Sequence, residues 1–126
     1  MKKILTFLML FTFGLTAMAQ DQAEIKFDQL KHNFGKFSSK NAIQECTFTF
    51  TNVGTAPLVI NQAIASCGCT VPQYTKSPIA PGEKGSIKVT YNGTGQSAGH
   101  IKKGITVRTN GKVEMTRLYI EGDLTD

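Results

Sequence analysis

Glu45-Cys46-Thr47-Phe48-Thr49-Phe50-Thr51-Asn52 is the stretch that decides the fold. Cys46, Phe48 and Phe50 fall on one side of an extended chain, and Thr47, Thr49 and Thr51 on the other. Period-two alternation of this kind marks a strand with one face on a core and the other toward water. The pattern recurs along the chain. Leu58, Ile60 and Ile64 carry it in LVINQAI, and Ile87, Val89 and Tyr91 in SIKVTY. Ile101, Ile105 and Val107 carry it in IKKGITV, and Leu118 and Ile120 in RLYI. Ile25 and Phe27 form a shorter run near the start. Turn signals separate the runs. Asn110-Gly111 predicts a type I′ hairpin turn, because both residues accept positive φ. Pro81-Gly82 predicts a type II turn, and residues 52–57 read as a loop. No stretch beyond residue 20 sustains a helical period, and there is no internal repeat or low-complexity tract. Short strands punctuated by turns predict an all-β domain, an antiparallel sandwich or barrel.

The first residues follow a different pattern. Lys2 and Lys3 precede an apolar run from Ile4 to Leu15, and Ala17-Met18-Ala19 follows. That is the layout of a secretory signal peptide. The run is shorter than the about 20 residues a membrane span needs. No cysteine follows Ala19, so a cysteine-type lipid anchor is not indicated. The expected organisation is a signal peptide over residues 1–19 and one domain over residues 20–126, in a secreted or periplasmic protein. Without Lys2 and Lys3 the formal charge of +5 falls to +3. A bias this small lacks the dense basic stripe of a nucleic-acid binder.

Secretion gives the cysteines their meaning. Cys46, Cys67 and Cys69 would sit where disulfides persist, and an odd number leaves at least one unpaired within the chain. Cys46 shares the face of Phe48 and Phe50, which favours a free buried thiol acting as a small hydrophobe. A bond from Cys46 to Cys67 or Cys69 is the alternative. In Ser66-Cys67-Gly68-Cys69-Thr70, a Cys67–Cys69 bond needs a bent backbone. An extended strand would hold the two Cβ atoms farther apart than the about 4 Å a disulfide requires, and Gly68 permits the bend. Paired thiolates could also grip a soft ion such as Cu(I) or exchange disulfides. Structural zinc usually takes four ligands at wider spacing, and His32 and His100, the only histidines, stand at no motif distance. Thioredoxin-like redox motifs use Cys-x-x-Cys near a βαβ unit. The favoured reading is a structural corner joining the strand that ends near Ile64 to the next segment, with Val71-Pro72 marking an edge or turn.

Other segments carry less chemistry. Residues 92–99, NGTGQSAG, lack the following helix that a phosphate loop requires and read as a hairpin loop. The Asn-x-Thr pattern at Asn92 reads as chance. Lys102, Thr106, Arg108, Arg117 and Tyr119 read as a solvated outer face with charge pairing against Glu121. An anionic glycan or lipid head group is the alternative occupant there. Ser66 has no neighbouring histidine to form a nucleophile–base pair, and no two carboxylates are spaced for acid–base work. No catalytic residue, metal ligand or cofactor follows from the sequence.

A larger set of residues carries a resemblance. His32-Asn33-Phe34-Gly35, Phe48 to Gly54, Pro57 to Ile60, Ser66 to Thr70, Ile79 to Glu83, Thr109-Asn110 and Leu118 to Gly122 occur in an order and spacing that resembles the DUF1573 family. Its members are small secreted bacterial proteins of unknown function. The resemblance covers about residues 23–124. It implies an immunoglobulin-like antiparallel β-sandwich of about seven strands, similar to the major-sperm-protein and pilus-chaperone class. It brings no reaction or ligand. Cys67, Gly68, Cys69 and Thr70 match its signature and stand as the expected binding site. The expected function is a secreted, non-enzymatic binding or assembly module whose partner is a protein or cell-envelope component. The alternative is a thiol site at Cys67 and Cys69 for copper binding or redox exchange.

Overall fold

The computed structural model describes residues 21–126, and the signal-peptide reading of residues 1–19 lies outside the described residues. Among them, eight strands form two sheets: β1 (Ile25–Phe27), β2 (Lys31–Ser38), β3 (Ile43–Asn52), β4 (Ile60–Ala65), β5 (Thr70–Tyr74), β6 (Lys84–Asn92), β7 (Gly99–Thr109) and β8 (Met115–Thr125). The first sheet runs β1-β3-β6-β5 and the second β2-β8-β7-β4. β1 pairs antiparallel with β3, whereas β2 pairs parallel with β8. β1 and β2 are thus one strand that changes sheets at Asp28–Leu30. Counted as one, they give the seven strands and sheet orders of the immunoglobulin sandwich. The parallel β2–β8 pair is the one departure from the expected antiparallel pairing.

The predicted alternation builds the core. Phe48, Phe50, Ile87, Val89 and Tyr91 of the first sheet face Ile105, Val107, Leu118 and Ile120 of the second, each at most 3% exposed. Phe50 covers Gly85 on the neighbouring strand, where a Cβ would come within 2.5 Å of its ring. The phase fails at Ile64, which is 48% exposed. A bulge between Ile60 and Gln62 inserts one residue. Side chains beyond it change face, so Ala63 and Ala65 pack on the core in its place.

Turn chemistry holds in one place and fails in two. Glu83 N–H donates to Ala80 O at 2.9 Å and Gly82 has φ of 84°, as a type II turn requires. Asn110-Gly111 does not form the predicted type I′ hairpin. β7 ends at Thr109 and β8 begins at Met115, and neither Asn110 nor Gly111 takes positive φ. Docking against neighbouring segments dictates these residues. The Asn110 side chain accepts from Val59 N–H at 2.8 Å and donates to Pro57 O at 3.1 Å. A Cβ on Gly111 would stand 2.9 Å from Ala23 O. Residues 93–98 are likewise not a hairpin loop, since β6 and β7 belong to different sheets and the segment crosses between them.

Asn52 closes one end of the sandwich. It is fully buried and its side chain is fully satisfied. Its Oδ1 accepts from Glu24 N–H at 3.2 Å and Gly54 N–H at 3.0 Å, and its Nδ2 donates to Ala56 O at 2.8 Å and Ile79 O at 2.9 Å. Its backbone N–H donates to Glu83 O, and its carbonyl accepts from Gly82 N–H. One amide therefore ties the N-terminal segment to the β3–β4 and β5–β6 loops. Truncating it strands several buried polar groups, each costing about 1–3 kcal/mol. Asn52→Ala is expected to lower stability by about 3 kcal/mol. Asn52→Asp, which keeps the shape but removes both donors, should lose at least as much. Urea unfolding checks both, as a lower midpoint with an unchanged slope.

Candidate functional site

The Cys-Gly-Cys segment lies at the end opposite Asn52. β4 is an edge of the second sheet and β5 an edge of the first, so the chain crosses the open side of the sandwich through Ser66 to Cys69. Cys67 and Cys69 are joined by a disulfide with their Cα atoms 5.3 Å apart. Backbone bonds hold both ends of the crossing. Ser66 N–H donates to Gly104 O at 2.9 Å, and Asn92 N–H donates to Cys69 O at 2.8 Å. Within the corner, Thr70 N–H donates to Cys67 O at 3.2 Å and Cys69 N–H to Cys67 Sγ at 3.1 Å. Thr70 is buried, and Cys67 and Cys69 are half-buried. Gly68 is exposed, has no positive φ, and a Cβ there would meet nothing within 4 Å. The bend therefore passes through Gly68 without requiring glycine.

Cys46 takes no part in this corner. It is free and buried, as its place in the alternation predicts. Burial pushes its thiol up to about 11. Thiol reactivity belongs to the thiolate, so Cys46 is inert at neutral pH. Bonded sulfurs are not thiolates either, and copper binding at Cys67 and Cys69 would require the reduced pair. Among the described residues, no group of three or more His, Cys, Asp or Glu is placed to hold a metal ion.

Beside the corner, the outer face of the second sheet holds an open depression of about 220 Å³, lined by Ile64, Ala65, Ser66, Gly104, Thr106, Arg117 and Tyr119. Gly104 leaves its floor bare, with the Tyr119 ring alongside. Lys102 Nζ sits 5.1 Å from the centre of that ring. Arg108 pairs with Glu114 at 3.8 Å. The expected pairing of Glu121 with the lysine and arginine side chains is not among the ion pairs of the described residues; Glu121 instead lies 3.6 Å from one ring nitrogen of His100, whose other ring nitrogen meets Asp123 at 3.0 Å. The Ser66 hydroxyl accepts from Gly104 N–H at 3.3 Å, a positioning contact with no base beside it.

Beyond the bulge at Ile60–Gln62, the depression borders an open stretch of strand edge. Because Ser66 bonds to Gly104 across the β4–β7 ladder, alternation puts Ile64 in the next bonded pair and turns the backbone groups of Ala63 and Ala65 outward. The other edges carry the usual protection. β5 contains Pro72, β1 is three residues long, and β2 carries Lys31 and Lys36 around a bulge. At that bulge Asn33 Oδ1 accepts from Gly35 N–H at 2.7 Å and Gly35 takes φ of 70°. This is the local meaning of His32-Asn33-Phe34-Gly35.

The model of the family described as protein of unknown function, DUF1573, matches residues 25–124. The chain belongs to the DUF1573 family. Its fold is similar to that of a protein of unknown function from Porphyromonas gingivalis W83, with a TM-score of 0.71 at 14% identity over 88% of this chain and 51% of that one. A PapD-like domain of human CEP192 matches with a TM-score of 0.61 at 9% identity, over 83% of this chain and 87% of that one. The YadV chaperone matches with a TM-score of 0.59 at 14% identity, over 81% and 52%. The DUF1573 chain thus spans about half the length of the Porphyromonas protein and of the chaperone. At such identities the likeness shows the fold alone, an immunoglobulin-like β-sandwich. No curated protein matches the sequence.

The cysteine arrangement makes a direct prediction. Iodoacetamide at pH 8 should leave the native protein unmodified, since Cys67 and Cys69 are bonded and a thiol near 11 is ionised to about one part in a thousand. Denaturation without reductant should expose one thiol, and reduction three, counted by intact mass.

Proposed function

We propose that this DUF1573 protein is an exported, non-enzymatic module that binds a protein partner of the cell envelope by accepting an added strand at the β4 edge. The observation that carries the reading is the pair of outward backbone sets at Ala63 and Ala65, with the exposed side chain of Ile64 between them. An extended segment laid along such an edge gains main-chain hydrogen bonds, and side-chain pockets supply selectivity. The depression around Gly104 begins at Ile64 and offers such a pocket. Likeness to a chaperone and to a PapD-like domain supports a protein-binding role on this framework.

Export rests on the layout of residues 1–19. Among the described residues the domain is already held from its first turn, where the Gln22 carbonyl accepts from Thr55 N–H at 2.8 Å. N-terminal sequencing of protein made in a bacterial host should read from Gln20. A chain that retains Met1 would oppose export.

For the binding surface, Ala63→Pro blocks an outward N–H without removing a bond to β7. Ile64→Asp charges the exposed side chain beside it. Both variants should keep the wild-type unfolding free energy in urea to within about 1 kcal/mol while losing the partner that the wild-type protein retains from envelope extract. Retention of that partner by both variants would place the interface elsewhere.

A further inference from the structure

We infer that the Cys67–Cys69 bond is a thiol–disulfide exchange site whose substrate is a pair of cysteine thiols on a polypeptide. The exchange is stoichiometric, one disulfide handed over per chain, and it stands apart from strand addition at β4, which it does not require.

The fold does not need this bond. Disulfide stabilisation in the chain-entropy account grows with the length of the loop closed, and here one residue separates the two cysteines. The corner is held without it. Ser66 is fixed to Gly104, Cys69 to Asn92, and the flanking strands run in register, Ala65 opposite Ile105 and Thr70 opposite Tyr91. Opening the bond leaves all of these in place.

Cys67 is half-buried between the exposed residues Ser66 and Gly68, next to the Ser66 end of an open depression, and Cys69 is half-buried between exposed Gly68 and buried Thr70, with one side against the core. Cys69 N–H points at Cys67 Sγ, 3.1 Å away. A hydrogen bond to sulfur stabilises the thiolate over the thiol, and a better-stabilised thiolate leaves faster. The arrangement therefore favours attack on Cys69. A partner thiolate bonds to Cys69 Sγ, the Cys67–Cys69 bond breaks, and Cys67 departs as a thiolate held by Cys69 N–H. The partner's second thiolate then attacks its own sulfur in the mixed disulfide and expels Cys69. The partner gains a disulfide and loses two electrons and two protons. Cys67 and Cys69 take them up as two thiols. Cys46, shut in the core, competes at neither step.

The test uses the oxidised secreted protein under native conditions. Incubation with a peptide carrying two cysteines, followed by acid quench and alkylation, should yield about one peptide disulfide per chain and label Cys67 and Cys69 but not Cys46. The Cys67→Ser, Cys69→Ser double variant should oxidise none. Millimolar reduced glutathione is a second arm. Labelling by glutathione with no oxidation of the dithiol peptide would mean a site open to small thiols only and would overturn the polypeptide assignment. A one-cysteine peptide should be found on Cys69 by fragment mass spectrometry, and its appearance on Cys67 would reverse the assigned direction. The circular dichroism spectrum should be the same before and after reduction. A bond that opens only in denaturant, or a fold lost on reduction, would overturn the inference.

Discussion

The buried amide of Asn52 is the constraint on which one whole end of the molecule depends. A side chain with two donors and two acceptor lone pairs sits among backbone groups of three segments and bonds four of them, of which only Ile79 O has a second partner, Leu58 N–H. Buried polar groups left unpaired cost more than paired ones contribute, so the loops must meet at this residue or not close at all. Gly54 follows from the same requirement. The chain at Gln22 to Glu24 passes so close that a Cβ on Gly54 would collide with its backbone. The Asn110 side chain repeats the device on a smaller scale between Pro57 and Val59.

The opposite end is organised differently. There the chain must carry β4 of one sheet into β5 of the other, and both are edges. Ladder bonds fix the two ends of the crossing, while the segment between them stays partly exposed. The disulfide, the depression around Gly104 and the open side of β4 lie together for this topological reason. The depression's floor at Gly104 is bare, and Arg117 brings a positive charge to its lining. Acidic groups nearby are engaged by His100, and Lys102 lies over Tyr119.

Much of this was legible in the sequence, and the failures have physical causes. Period-two counting placed Phe48, Phe50, Ile87, Val89, Tyr91, Leu118 and Ile120 correctly, because a strand with one buried face must alternate. The same count runs on from Phe50 to Asn52, so an inward polar residue was signalled there, although the pattern read as the start of a loop. Ile64 failed because a bulge changes phase without a sequence mark of its own. Asn110-Gly111 failed because its residues answer to Pro57, Val59 and Ala23, which are distant in sequence. Assigning β6 and β7 to different sheets, and dividing the first strand between both, are likewise non-local outcomes. Cysteine spacing left the pairing open. The fold resolves it by burying Cys46 among apolar side chains and bending the chain at the corner.

Hydrogen exchange resolved to single amides along β4 tests the central claim most directly, namely that one strand edge is open beside the disulfide corner. The account predicts that Ile64 and Ser66, bonded to β7, are protected, while Ala63 and Ala65 exchange at close to the rate of unpaired amides. Equal protection of all four in the isolated monomer would contradict it, because the edge would then be covered.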